Sequence, residues 1–498
     1  MRRIDFTIAA TLLASVLLAS FPVPAQAQST MPSVESQANP EALRLVGVWL
    51  DSEEAYRQIP ALSVAIVQGD KTVLSTGYGA LDAARRVPAT GRTLYPICSI
   101  SKLFASVALM QLWEAGRVRL DDTVTTYLPW AKLAPVGQDS VPITLRAMLS
   151  HSAGLPRDFD VPYWTGPDFS FPSEEQLKTT LSQISPPWPA SRWLEYGNVG
   201  PTLIGYTVSA ISGQSYEDYV RAHILEPLGM TDTYPSMPMS LYGKRLAVGW
   251  GAITREGKRE LLAPFDARGL SPVVGYTSTA EDLSRFATWQ FRLLRTGTTE
   301  VLKPSTLREM QRVQFLDPDW KDSWGLGFEV ARRDNQTYVG HDGSCPGYNT
   351  ALSLRPATET AVSLLFDGME NAVSHAAAVF DILDKRKNSD STRPPSAEGV
   401  DLEAFTGRYS GQPWKSEVVI VPWAGGLALL RLPSSAPAGD LVILKAKGGD
   451  VFRRLRDDGS ESEEVRFERD RSGKANRFVE FGNPHSRIAD LPSLASPD

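Results

Sequence analysis

Ser99, Ile100, Ser101 and Lys102 set a hydroxyl and an amine three residues apart. Three residues are close to one helical turn, so Ser99 and Lys102 would share one face of a helix. Residues 99–115 read as such a helix, apolar over most of its surface and stopped by Gly116, a good C-cap. Ser99 would then stand at a helix N-terminus, where backbone N–H groups and a partial positive charge favour a developing oxyanion. Lys102, set between Ile100 and Leu103, would be partly desolvated, and burial lowers an amine's pKa. Such an amine can accept a proton or hold a second base in its anionic form. The competing reading makes Ser99 an ordinary N-cap and Lys102 a solvated side chain. A chain of this composition contains about one chance Ser-x-x-Lys, so context has to decide.

Other reactive arrangements find no support. The five histidines, at 151, 223, 341, 375 and 485, include no His-x-x-x-His pair, which argues against a zinc peptidase. There is no Gly-x-Ser-x-Gly elbow and no Walker A loop. No metal or cofactor is expected.

The elements that must hold Ser99 come from distant parts of the chain. A helical pattern at 41–59 precedes a hairpin, "ALSVAIVQ" and "KTVLSTGYG", turned by Gly69-Asp70. The middle, roughly 140–310, alternates helical patterns with loops, and 157–192 is rich in proline and aromatic residues. Strand-like runs return at "GLGFEVARR", "QTYVGHDGS", "NTALSLRP" and "AVSLLFD", followed by a helix near 370–385. Strands at both ends with helices between predict an α+β sheet assembled from distant segments. Residues 386–400 have the polar, proline-containing composition of a linker. Beyond them, short alternating segments between Gly, Asp and Ser turns predict a small antiparallel barrel or sandwich.

Five ordered segments resemble the serine β-lactamase and penicillin-binding-protein superfamily, in its class C β-lactamase-like and D-aminopeptidase-like branch. They are Ser99-x-x-Lys102, "LSHSAGLP" (149–156), "EYGNVG" with Tyr196 and Asn198, "GYTSTAEDLSRF" (275–286), and "GHDGSCPGY" (340–348). The resemblance covers about residues 40–385 and implies an antiparallel sheet with flanking helices and a helical subdomain. It implies that Ser99 Oγ attacks a carbonyl to give an acyl-enzyme. Tyr196 would carry the proton, its phenol acting as base if the nearby Lys102 charge lowers its pKa, and which of the two is the formal base stays open. Asn198 would hydrogen-bond the substrate amide, and the N–H groups of Ser99 and Ser344 would form the oxyanion hole. His151 would support the site from a turn.

His341-Asp342-Gly343 stands where many members carry Lys-Thr-Gly. Lysine offers a permanent cation for a substrate carboxylate, whereas histidine offers one only when protonated, with a reference pKa of about 6.5. The implied reaction is therefore peptide hydrolysis on small peptides, including D-residues or unusual linkages. β-Lactam or ester hydrolysis is the alternative, and a slowly acylated penicillin-binding sensor is a second. The aromatic loop 157–192 either walls the cleft or is a passive excursion. Cys98 precedes the nucleophile and Cys345 follows the second oxyanion donor, so the implied fold brings their backbones near one another. Whether they bond stays open, because disulfide geometry is demanding. "DLEAFTGRYSG" (401–411) resembles the start of the lipocalin-like domain of related peptidases, which would trim access to the cleft or mediate oligomerisation.

Length and composition agree with two or three domains of a globular protein: 498 residues, 42% apolar and 22% charged. A net charge of −6 without a long basic run argues against nucleic acid as a partner. Arg2 and Arg3, the apolar run 7–20 and Ala25-Gln26-Ala27 predict an export signal over 1–27, cleaved before Gln28 to leave no membrane anchor. The expected layout is then a polar segment at 28–39, a hydrolase domain at 40–385, a linker at 386–400 and a barrel at 401–498.

Overall fold

Gly69, at φ +59°, turns the chain between β1 (Ala61–Gln68) and β2 (Lys71–Gly79), with Gln68 opposite Lys71. The other edge of β1 is filled from the far end of the domain. Six further strands join the sheet: β3 (Phe315–Leu316), β4 (Ser323–Trp324), β5 (Glu329–Arg333), β6 (Gln336–Cys345), β7 (Tyr348–Arg355) and β8 (Thr360–Phe366). Their order is β2-β1-β8-β7-β6-β5-β4-β3, antiparallel throughout. Leu62 faces Phe366 and Gln68 faces Thr360, so residues about 300 apart in sequence are neighbours. This computed structural model describes residues 39–133, 136–137, 141–389 and 400–492. The expected export signal, the polar segment up to residue 38 and residues 390–399 of the expected linker lie outside them.

Five helices matter for the site: α1 (Pro40–Arg57), α2 (Ser101–Glu114), α3 (Val199–Ser212), α4 (Ala280–Thr296) and α5 (Ala372–Ser389). The two-residue side-chain period of β1 divides the packing. Ala65 and Val67 enter a core with Leu103, Phe104 and Phe286 from α2 and α4, whereas Leu62, Val64 and Ile66 enter one with Trp49 of α1 and Phe380 of α5. Helix α5 runs on to Ser389, so the first residues of the expected linker are helical instead. Arg386 is buried there and pairs with Glu41 at 2.6 Å, which gives those residues a reason to stay folded.

The C-terminal region is a closed antiparallel barrel of β9 (Gly407–Ser410), β10 (Glu417–Trp423), β11 (Gly426–Leu432), β12 (Val442–Gly448), β13 (Val451–Leu455), β14 (Glu461–Arg469), β15 (Ala475–Glu480) and β16 (Asn483–Ala489). Phe405, Tyr409, Phe452, Phe467 and Phe478 fill its interior. Val419, Val421 and Trp423 of β10 point outward into the core built by α1 and α5. Burial on both faces explains why "EVVIVPW" reads as a continuous apolar run. Trp49 Nε1 donates to the Ser434 carbonyl at 3.0 Å, and the Ala424 N–H donates to Glu41 at 2.8 Å. The barrel thus docks behind the sheet, opposite α2, rather than over the cleft. Among the described residues no helix is long and apolar enough to cross a membrane.

Candidate active site

Ser99 lies in a 3₁₀ turn, Cys98–Ile100, that leads into α2. Cys98 adopts φ +49°, a left-handed conformation that costs a residue with a Cβ, so surrounding contacts must hold it. Four do. The Ile97 N–H donates to the Tyr276 carbonyl at 2.9 Å, and the Tyr276 N–H donates to Ser101 Oγ at 3.2 Å. Thr350 Oγ1 donates to the Ile97 carbonyl at 3.1 Å. Cys98 is disulfide-bonded to Cys345 at the end of β6, with the Cα atoms 5.7 Å apart.

Gly343 lies directly beneath this turn. A Cβ there would stand 2.3 Å from the Ile97 carbonyl oxygen and 2.4 Å from Thr350 Oγ1. Only glycine lets β6 approach so closely. Its place in the site is thus to bring Ser344 near Ser99, not to offer a side chain to substrate. Strand β5 pairs with β6 no further than Gly340, so among the described residues that edge of β6 has no strand neighbour from His341 to Cys345. Ser344 is exposed on it.

Lys102 is 1% exposed, and its Nζ donates to Ser99 Oγ at 2.8 Å, to Tyr196 Oη at 2.9 Å and to the Val273 carbonyl at 3.4 Å. Burial lowers its pKa to about 7; the carboxylates of Asp158 and Asp342 pull upward and Arg157 pushes downward. Tyr196 moves the other way. Burial drives its phenol well above the ordinary tyrosine range, against the opposing hydrogen bond with Ser99. The expected acidification of Tyr196 by Lys102 is therefore corrected. The same apolar surroundings that would make a lysine charge effective also bring the Lys102 pKa down to about 7, so that charge is only partly present near neutral pH. Burial thus moves the two groups in opposite directions, toward a neutral amine and a protonated phenol.

His341 offers no cation. Its side chain is fully buried and its pKa is lowered to about 4, chiefly by burial and then by Lys102. Nδ1 lies 2.5 Å from the Asp342 carbonyl oxygen, which can only accept, so Nδ1 carries the hydrogen. Nε2 has no hydrogen-bond partner among the described residues. His341, Tyr196, His151 and Trp324 form a ring cluster, with centroids 4.6 Å apart for His151 and Tyr196 and 5.5 Å for Trp324 and His341. His151, at φ +53°, accepts from the Gly197 N–H on Nδ1 at 3.3 Å and from the Glu195 N–H on its carbonyl at 2.7 Å. It holds the Tyr196-Gly197-Asn198 segment in place.

Asn198 opens α3 and is buried. Its Nδ2 donates to Asp158 Oδ1 at 2.5 Å, and the Tyr163 hydroxyl donates to the same oxygen. Sequence reasoning missed Asp158: it sits in no motif, and only the fold of the aromatic loop carries it to Asn198. That loop does wall the cleft. Trp164 and Phe169 line a cavity of about 450 Å³ together with Arg157, Asp158, Leu262, Met369 and Ser344. Ser99, Lys102, Tyr196, Asn198, His341, Gly343 and Ser344 are thus gathered in one site, with the Cys98–Cys345 bridge beneath it.

Comparison with known proteins bears on the family and the fold. The family model described as Beta-lactamase matches residues 50–386. Penicillin-binding protein 4 of Amycolatopsis lactamdurans is 26% identical over 332 residues, which are 64% of this chain and 84% of that protein. Beta-lactamase-like protein 2 of Dictyostelium discoideum is 28% identical over 320 residues, 62% of this chain but only 56% of that relative's length. Among solved structures, the octameric penicillin-binding protein homologue of Pyrococcus abyssi aligns with TM-score 0.60 and 22% identity, over 88% of this chain and 98% of its own. The D-amino acid amidase of Ochrobactrum anthropi SV3, complexed with D-phenylalanine, aligns with TM-score 0.58 and 21% identity over 70% of this chain and all of its own. At these identities the structures establish likeness of fold.

Proposed function

Because the chain belongs to the beta-lactamase family of serine hydrolases, we propose that it is a peptidase or amidase that cleaves small substrates through acyl-Ser99. One observation carries the reading: a buried Lys102 amine, with its pKa near 7, within hydrogen-bond distance of both Ser99 Oγ and Tyr196 Oη. Ser99 Oγ attacks the carbonyl carbon and its proton passes to neutral Lys102. The oxyanion lies between the N–H groups of Ser99 and Ser344. As the C–N bond breaks, Lys102 returns the proton through the Tyr196 hydroxyl to the leaving amine. Water then attacks the ester, its proton follows the same relay to Ser99 Oγ, and the acid is released.

The neutral, buried His341 supports amides over β-lactams, since it gives a β-lactam carboxylate no partner. Ester hydrolysis by the same machinery is the second reading, because an ester needs no such partner either. We also propose export, on the strength of residues 2–27 of the sequence. A fluorophosphonate probe should label the protein once, at Ser99, and Ser99→Ala should abolish labelling. Phenylalanine anilide, p-nitrophenyl acetate and nitrocefin assayed side by side should rank amide or ester turnover above nitrocefin; faster nitrocefin hydrolysis overturns the peptidase reading. An N-terminus other than Gln28 on protein recovered outside the producing cell counts against the cleavage site.

A further inference from the structure

On the side of β6 away from Ser99, a cavity of about 150 Å³ lies between α5 and the sheet. It exists because both of its walls are built from small residues. The two-residue period of the strands points Ala331 of β5, Gly340 of β6 and Ala351 of β7 toward α5, which meets them with Ala376 and Ala377. The alternate residues of β6, His341 and Gly343, face the Tyr196 ring and the Ser99 turn instead. Tyr338 and Phe380, with ring centroids 5.0 Å apart, close one end of the cavity. Asp342 stands past Gly340 at the other end, and Glu329 lies opposite Gly340 in the ladder. A space of about this size between apolar walls holds one benzene ring.

The charge around this space is answered for one sign only. Arg333 pairs with Asp381 at 2.9 Å and donates to Tyr338 Oη at 3.3 Å and to the Ala377 carbonyl at 3.4 Å, so its guanidinium is already engaged. Glu329 is half-buried and, among the described residues, has no hydrogen bond or ion pair. Burial, and then the negative charges of Asp342 and Asp322, raise its carboxyl to about 7. β7 and α5 line the cavity without any titratable side chain, so nothing there offsets those charges. A carboxylate at the edge of an apolar space, repelled by its neighbours and short of donors, is relieved by a cation. We propose that this cavity binds a small organic amine, whose apolar body of about six carbons fills the space under α5 while its ammonium donates to Glu329. The site goes beyond the peptidase reading and does not rest on it, because β6 stands between the cavity and Ser99.

Benzylamine, benzyl alcohol and benzoate share a ring and differ in charge, so titrating each against the full chain by ligand-observed NMR tests the assignment. Benzylamine should bind at least ~10-fold more tightly than benzyl alcohol at pH 8, the scale of one charge-assisted hydrogen bond, and benzoate should bind weakest. Lowering the pH from 8 to 6 should weaken benzylamine by up to ~10-fold, because a proton then competes for Glu329 while the ammonium keeps its charge. Glu329→Gln should reduce benzylamine to the level of the alcohol at both pH values. That variant gives up no hydrogen bond within the protein, so its melting temperature should match the wild type. Ala377→Leu, which fills the space from the helix side, should weaken amine and alcohol alike by ~10-fold or more. Ser99→Ala should bind benzylamine as the wild type does. Four results overturn the proposal: no binding of benzylamine, equal binding of amine and alcohol, an amine preference that survives Glu329→Gln, or binding that survives Ala377→Leu. Loss of binding in Ser99→Ala would place the amine in the Ser99 cleft and overturns it as well.

Discussion

The Ser99 site and the C-terminal barrel both bury ionisable groups, and they treat them in opposite ways. In the barrel, Glu480 is 1% exposed and accepts from both Arg431 and Arg454, while Arg408 bridges Glu417 and Asp51. Its interior is filled by the rings of Phe405, Phe452, Phe467 and Phe478, and the Tyr409 hydroxyl among them donates to the Phe405 carbonyl at 2.7 Å. At the site, Lys102 is as deeply buried but among the described residues its amine hydrogen-bonds only hydroxyls and a carbonyl, His341 Nε2 has no hydrogen-bond partner there, and Cys98 and His151 both hold left-handed backbone. Each of these is unfavourable for a residue whose work is packing. The contrast separates two purposes within one chain. Charge that is fully answered stabilises a scaffold, whereas charge left short of partners is free to react.

That contrast breaks first at Ser99. Ser99→Ala should lower kcat by about 10⁴-fold or more while leaving the melting temperature unchanged or higher. A fall in melting temperature would mean the serine is structural after all.

Lys102→Met comes next, with an expected loss of about 10³-fold in acylation rate. Its effect on stability should have the opposite sign. The folded-state pKa of Lys102 is depressed to about 7 from the ordinary lysine value of 10.5. Between those values the unfolded chain binds the extra proton, so stability conferred at this site rises with pH. Replacing the lysine should therefore stabilise by about 1–3 kcal/mol near pH 6, and the gain should shrink toward pH 10.5. In the wild type, kcat/KM should fall as pH drops below about 7. Denaturant titration at pH 6 and pH 9 reads the first effect, and a pH–rate profile the second. A variant less stable at both pH values would contradict the account of Lys102 burial.

Gly343→Ala should cost about 10²-fold in kcat, because its Cβ has to push the Ile97 turn away from β6. The double variant Cys98→Ala/Cys345→Ala should lose about 2–5 kcal/mol of stability and, in the surviving folded fraction, about 10-fold in kcat. Smallest of all, Glu480→Gln should cost about 1–2 kcal/mol with kcat/KM unchanged, since the two arginines it abandons can still reach solvent. A change in kcat/KM there would blur the line between scaffold and site.

Much of this was legible in the residues. The first hairpin, the helix after Ser99 and the strand that carries His341 follow from local periodicity and turns, as does "EVVIVPW". What escaped depends on partners far away. The barrel closes through β9, four residues long, and β16, "NPHSRIA", which is largely exposed; their pairing of Tyr409 with Arg487 has no trace in either segment alone. Asp158 looks like a loop residue until Asn198 is placed against it. The direction of the Tyr196 shift was misjudged for a related reason. A lysine's sequence neighbours announce that it is buried, but not that the phenol beside it shares the same dry pocket.

The Cys98–Cys345 bridge spans 247 residues of sequence, and β1 waits almost 300 residues for β8. A ribosome working at about 5–20 residues per second needs roughly 10–50 seconds to cover the first of those distances. For that whole interval the growing chain carries Ser99 without the strand that holds Ser344. On the reading proposed above, Ser99 gains its second oxyanion donor only after Ser344 has been made.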